Sequence, residues 1–153
     1  MTKVIIATDG GCRGNQTDNN IGAYAAILHF GQHKRIVTEG IYNTTNNQME
    51  LRAVIEGLKA MKRFDIPVEV HSDSAYVVNS VNKGWYRNWK SNGWVKNDGN
   101  IVKNYELWSD LSDQIDKFDD IIFVKVKGHS DNEINNEADL IVNESMDKLN
   151  PQN

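Results

Sequence analysis

Up to Tyr42 the apolar residues come in short blocks and alternations of strand length, and beyond it they recur at helical spacing. Lys3–Thr8 reads as a buried strand, closed by turn chemistry at Asp9-Gly10-Gly11. Gly22–Phe30 and His33–Tyr42 read as two further strands, joined through Gly31-Gln32 as an antiparallel hairpin. Leu51, Val54, Ile55, Leu58 and Met61 then place an amphipathic helix over Asn47–Arg63. Pro67–His71 is a short strand, and a helix follows from Ser74. Tyr105, Trp108, Leu111, Ser112, Ile115 and Phe118 mark another helix face, Ile121–Val126 a strand, and Ala138, Ile141, Val142, Ser145 and Leu149 a final helix.

This order, β-β-β-α-β-α-α-β-α, predicts an α/β fold: one mixed sheet, antiparallel at its start and parallel afterwards, with helices on its faces. A right-handed crossover makes Val4–Asp9 and Val68–His71 parallel neighbours. Asp9 and Asp73 then both lie at carboxyl ends of strands, where open α/β sheets bind their ligands. The 153 residues suit a single domain over 1–149 with a real core, leaving 150–153 as a tail.

Composition narrows the class. No apolar run approaches the ~18 residues of a membrane span, and MTKVIIATDG lacks the form of a secretory signal. Cys12 is the one cysteine, so no internal disulfide can form, which fits a reducing cytoplasm. The net charge of -4 argues against a nucleic-acid partner until its distribution is considered. Lys83, Arg87, Lys90, Lys96 and Lys103 face only Asp98 in their segment, so a basic handle near 83–100 stands on an acidic body. Such a patch is a footprint for a polyanion or simply a solvated helix face.

Four acids sit in distinctive local strings: Asp9 in ATDGGCRGN, Glu50 in TTNNQMEL, Asp73 in HSDSAYVV and Asp139 in NNEADLIV. Each has an ordinary reading alone. Asp9-Gly10 is turn chemistry, Asn47 with Glu50 is a capping-box pattern, and Ser-Asp-Ser is a helix start. Brought together, however, four carboxylates would repel one another by several kcal/mol in a low dielectric unless a cation intervened. Hard oxygen ligands select Mg²⁺ or Mn²⁺, and no Cys/His pairs stand at zinc spacing. His129, in a polar loop before Asp139, can carry a proton near neutral pH.

Other polar clusters fit a nucleic acid. Thr44-Thr45-Asn46-Asn47 precedes a helix, whose N-terminus favours phosphate as well as capping. Asn15 and Gln16 offer similar groups. Three of the four tryptophans fall in GWYRNWKSNGW, where Trp85 and Trp89 share a helical face with Lys90 beside them. They either pack the handle onto the body or grip sugar and phosphate.

Taken in order, TDGGCRGN, TTNNQMEL, SDSAYV, GWYRNWKSNGW, VKNYELW and VKGH followed by N-x-x-AD resemble type 1 ribonucleases H of the single-domain bacterial kind, from Val4 to about Val142. The resemblance implies a ribonuclease H-like five-stranded mixed sheet and an acidic metal-binding tetrad of Asp9, Glu50, Asp73 and Asp139, with His129 as the mobile-loop histidine. It implies that Thr45 and Asn104 hold a DNA phosphate and that Asn15, Gln16, Asn46, Asn47 and Glu50 reach 2′-hydroxyls and the minor groove. Trp85, Trp89 and Lys90 match the handle. Gly11, the Gln16–Asn20 loop, Asn136 (where Glu is usual) and Ala75 depart from the usual pattern, but none of them removes a member of the acidic tetrad.

The activity so implied is endonucleolytic hydrolysis of the RNA strand of an RNA/DNA hybrid. Two Mg²⁺, or Mn²⁺ in their place, would flank the scissile phosphate with Asp9 between them and leave 5′-phosphate and 3′-hydroxyl ends. The enzyme would act as a cytoplasmic monomer. A non-catalytic hybrid-binding module, or another nuclease with the same sheet, is the alternative. The binding module would need a broken tetrad, whereas this one is complete.

Overall fold

The computed structural model describes residues 2–14, 20–127 and 133–149. Five strands and five helices follow the chain: β1 (Val4–Arg13), β2 (Ile21–Phe30), β3 (His33–Tyr42), α1 (Asn46–Lys59), β4 (Val68–Ser72), α2 (Ala75–Asn82), α3 (Trp85–Ser91), α4 (Tyr105–Ile115), β5 (Ile121–Lys125) and α5 (Glu133–Leu149). The sheet order is β3-β2-β1-β4-β5. β1, β2 and β3 pair antiparallel, whereas β1, β4 and β5 pair parallel. The mixed sheet and the β1–β4 crossover are thus as the sequence predicts.

Strand alternation gives the sheet two apolar faces. Ile6, Ala26, Leu28, Val68 and Val70 pack under α1, α2 and α4 with Leu51, Leu58, Val77 and Leu111. Ile21, Ala23, Ala25 and Ile27 turn the other way, against Ala138, Val142 and Met146 of α5. Full burial of each large aliphatic side chain contributes roughly 1.5–3 kcal/mol. Trp108 of α4 is wholly buried, with its ring 5.6 Å from Tyr76, 5.9 Å from Tyr86 and 5.9 Å from Trp89.

Beyond shifts of a residue or so at element ends, three differences from the expected elements stand out. β1 does not end at Thr8 but runs to Arg13, because Gly10 and Gly11 continue the ladder to β2 opposite Tyr24 and Ala23. Gly10 serves a close approach rather than a turn: a Cβ there would lie 2.4 Å from the Met49 carbonyl carbon. α1 stops at Lys59 instead of Arg63, since Met61 N donates to Leu58 O and Ala60 N to Gly57 O in a tightened last turn. The handle forms a helix of its own, α3, so the chain has one helix more than predicted. Gly84, at φ +76°, separates it from α2, and its seven residues are too few to show a long period.

Candidate active site

The parallel ladder between β1 and β4 ends at Ala7–His71. Just past that point β1 presents Asp9, and the chain leaving β4 presents Asp73. Thr8 Oγ1 donates to His71 O at 3.1 Å, and Asn135 Nδ2 of α5 reaches Thr8 O at 3.3 Å and His71 O at 3.4 Å. These bonds tie the strand ends to the helix that carries Asp139 one turn later.

α1 enters over Gly10 and delivers Glu50. The cap that starts this helix is Thr45, whose Oγ1 accepts from Gln48 N at 3.1 Å; Asn47, the cap expected from the sequence, is exposed. Glu50 is therefore not engaged in a capping box and turns inward. Ser74, not Asp73, caps α2, its Oγ accepting from Val77 N at 3.2 Å. Both carboxylates are thereby left to the site.

Carboxylate oxygens of Asp9, Glu50 and Asp73 lie within 4.8 Å of one another. Asp139 stands outside that set but is close enough to Asp9 to share a hydrogen bond and to act on it by charge. Burial first, then the charges of Asp73 and Asp139, push the Asp9 carboxyl up to about 8. Burial and the neighbouring Asp9 and Asp73 also hold Glu50 well above the usual carboxylate range. Glu50 Oε1 is buried with no hydrogen-bond partner among the described residues. A buried, unpaired oxygen among carboxylates held this close fits a metal ion as its partner. The donor set is all oxygen, which suits a hard divalent ion. His129, Asn15 and Gln16 lie outside the described residues.

A second recess lies at the start of α1. Thr45, Asn46, Asn47 and Asn104 line a cavity of about 310 Å³ together with Lys103. Asn46 Oδ1 accepts from Cys12 N at 2.9 Å, which ties the start of α1 to β1. Asn104 takes the left-handed conformation, φ 63°, ahead of α4. Its Nδ2 reaches Tyr76 Oη at 3.4 Å and its Oδ1 lies 3.5 Å from Gln48 Nε2. Lys103 supplies the cation here. The sequence reading counted it only in the basic segment, although its place beside Asn104 was the available signal.

The handle divides its roles. Trp85 is 41% exposed with Lys83 Nζ 5.4 Å from its ring, whereas Trp89 packs edge-on against Trp108. Both rings border a groove of about 570 Å³. Lys90 does not join them: its Nζ donates to Ser112 Oγ at 2.9 Å and lies 3.6 Å from Asp116.

Fold and site together define an α/β protein whose mixed sheet brings the carboxylates of Asp9, Glu50 and Asp73 into one cluster that could hold a metal ion. The RNase H family model matches residues 1–147. The chain belongs to the RNase H family and is an enzyme of the ribonuclease H class. It is 50% identical over 150 residues to a ribonuclease H of Clostridium botulinum (strain Hall), covering 98% of this chain and 99% of that one. A Thermoanaerobacter sp. (strain X514) ribonuclease H is 44% identical over 150 residues, covering 98% and 94%. Among solved structures, LC9-RNase H1, a type 1 RNase H with the type 2 active-site motif, superposes with a TM-score of 0.82 at 25% identity, over 95% of this chain and 72% of that one. LC11-RNase H1 in complex with an RNA/DNA hybrid superposes with a TM-score of 0.73 at 26% identity, over 96% and 99%.

Proposed function

We propose that this enzyme cleaves the RNA strand of RNA/DNA hybrids internally, leaving 5′-phosphate and 3′-hydroxyl ends. Convergence of Asp9, Glu50 and Asp73 within 4.8 Å is the observation that carries the reading. With Asp139 beside Asp9, these acids would hold Mg²⁺, two ions in the substrate complex, or Mn²⁺ in their place. Bound there, such ions supply Lewis acidity at the scissile phosphate and lower the pKa of water.

The remaining residues position and discriminate. Thr45, Lys103 and Asn104 receive a phosphate of the DNA strand. Asn46 and Asn47, with Glu50 behind them, face the minor groove, where a 2′-hydroxyl distinguishes RNA from DNA. Asn15 and Gln16 extend that contact, and Trp85 and Trp89 offer rings to the DNA strand. These contacts address backbone rather than base edges, so sequence preference is weak. His129 moves a proton at the departing product. The hybrid-bound LC11-RNase H1 relative supports this substrate class. None of the described helices is long and apolar enough to cross a membrane. In this reading the enzyme is a single-domain monomer of the reducing cytoplasm, where its lone cysteine forms no internal disulfide.

The test is a gel assay on end-labelled RNA/DNA hybrid, duplex RNA and duplex DNA, with and without Mg²⁺. Cleavage confined to RNA of the hybrid and dependent on Mg²⁺ is expected. Turnover in excess chelator, or equal cutting of duplex RNA, refutes the reading.

A further inference from the structure

Asn104 borders two cavities. One is the recess of about 310 Å³ that it shares with Thr45, Asn46, Asn47 and Lys103; the other, of about 440 Å³, it shares with Gln48, Arg52 and Tyr105. Gln48 lines the second cavity but not the recess. An amide side chain with open space beside it keeps rotamer freedom unless hydrogen bonds hold it in one orientation. The Asn104 side chain does not cap α4, so its amide is available to other partners.

Those partners form a directional series from α1 to the core. Thr44 Oγ1 donates to Gln48 Oε1 at 2.9 Å, Gln48 Nε2 to Asn104 Oδ1 at 3.5 Å, and Asn104 Nδ2 to Tyr76 Oη at 3.4 Å. Trp108 Nε1, which can only donate, anchors the far end at Tyr76 Oη, 2.8 Å away. Within this series the acceptor end of the Asn104 amide is committed to Gln48. Tyr76 takes one hydrogen of Nδ2, and the other is left for a ligand.

Gln48 also acts on Thr45, through its backbone. Gln48 N donates to Thr45 Oγ1 at 3.1 Å, which occupies an acceptor site of that hydroxyl and leaves its proton to give. The oxygens of a backbone phosphate only accept, so a recess that receives them must present donors. An Asn104 amide turned the other way would offer Oδ1 and repel them. We propose that Gln48 is a positioning residue: by holding Asn104 Oδ1 it keeps the Asn104 Nδ2 donor turned to a phosphate of the DNA strand. This role rests on the reading of Thr45, Lys103 and Asn104 as a phosphate recess. The bond to Thr45 belongs to the Gln48 backbone and survives substitution of the side chain, so a side-chain variant reports on Asn104.

The test is binding in chelator, by fluorescence anisotropy, of RNA/DNA hybrids whose DNA strand carries a single methylphosphonate, placed at each linkage in turn. A methylphosphonate removes the anionic oxygen that the recess would meet. The parent should bind least well when one particular linkage is modified. Gln48→Met, similar in length but without the amide, should weaken binding of the unmodified hybrid about tenfold, the scale of one hydrogen bond to a charged group. It should weaken binding of the hybrid modified at that linkage by less than about twofold, because the two changes remove the same contact. Thr44→Val, which releases Gln48 Oε1, should repeat the linkage-specific loss in smaller measure and stands in if Gln48→Met does not fold. In nitrogen-edited NMR spectra the side-chain amide signals of Asn104 should shift in Gln48→Met. The proposal falls if Gln48→Met weakens every hybrid by one common factor, or if it moves neither affinity nor the Asn104 signals. A parent indifferent to every methylphosphonate removes the recess and this role with it, whereas linkage-specific binding without RNA cleavage refutes the cleavage reading alone.

Discussion

Gly10 and Glu50 meet backbone to backbone: a methyl group built on Gly10 would stand 2.6 Å from the Glu50 amide nitrogen. The helix start that delivers Glu50 can approach Asp9 only because the intervening strand position has no side chain. Gly10→Ala should push α1 outward, at a cost of about 1–3 kcal/mol for overpacking. Turnover should fall further than stability, since Glu50 moves with the helix. A melting curve beside a hybrid-cleavage assay checks this, and near-parental turnover contradicts the arrangement.

Asp9 ties the site to pH. Its carboxyl sits near 8 in the folded chain against 3.8 ordinarily, so between those values the folded state keeps a proton that the unfolded chain has released. That contribution is complete below the lower value and fades as pH rises through the upper one. In chelator, the melting temperature should decline between about pH 4 and about pH 8. Added Mg²⁺ or Asp9→Asn should flatten the decline. A melting series flat in the parent would show that Asp9 is not held protonated.

The same substitution should leave the fold intact while abolishing cleavage. Loss of an outer partner of a metal ligand already reduces activity 10–100-fold, so loss of the ligand should reduce it at least ~100-fold. Circular dichroism and the gel assay together decide; retained turnover rejects the role of Asp9.

Trp85 and Trp89 should separate cleanly. Trp85→Ala removes an exposed ring and should raise KM at nearly unchanged kcat and stability. Trp89→Ala removes an edge-on partner of Trp108 and should lower stability by roughly 1–3 kcal/mol as well. Equal effects on melting from both variants would mean that the two rings are placed alike.

Thr45→Ala should cost ~1 kcal/mol of stability through the lost cap, and Asn47→Ala almost none. Both should weaken hybrid binding. A melting comparison distinguishes cap from contact, and a stability loss confined to Asn47→Ala would reverse the assignment.

Much of this molecule is readable from its residues, and the failures share a cause. Strand and helix periods located all five strands and the parallel meeting of β1 with β4, because burial imposes those periods directly. Of the four acids singled out by their strings, Asp9, Glu50 and Asp73 come within 4.8 Å of one another and Asp139 stands beside Asp9. What local pattern misjudged was set by contact across the chain. Asp9-Gly10 looks like a turn because turns and close backbone approaches require the same absent side chain. Asn47 and Glu50 match a capping box, yet Thr45 lies two residues earlier and wins, helped by the bond that Cys12 N on β1 donates to Asn46 Oδ1. Lys90 looks like a partner of the tryptophans, but Ser112, over twenty positions later, takes it.

The two apolar faces of the sheet have a consequence for when the enzyme can act. Glu50 rides on a helix anchored in one hydrophobic layer, Asp139 on a helix anchored in the other, and Asp9 on β1 and Asp73 just past β4 stand at the seam between them. A chain with either layer unfinished, such as a nascent one still lacking α5, presents an incomplete set of these acids. Chemistry that destroys RNA is thereby withheld until both halves have closed, and the finished architecture acts as its own safety catch.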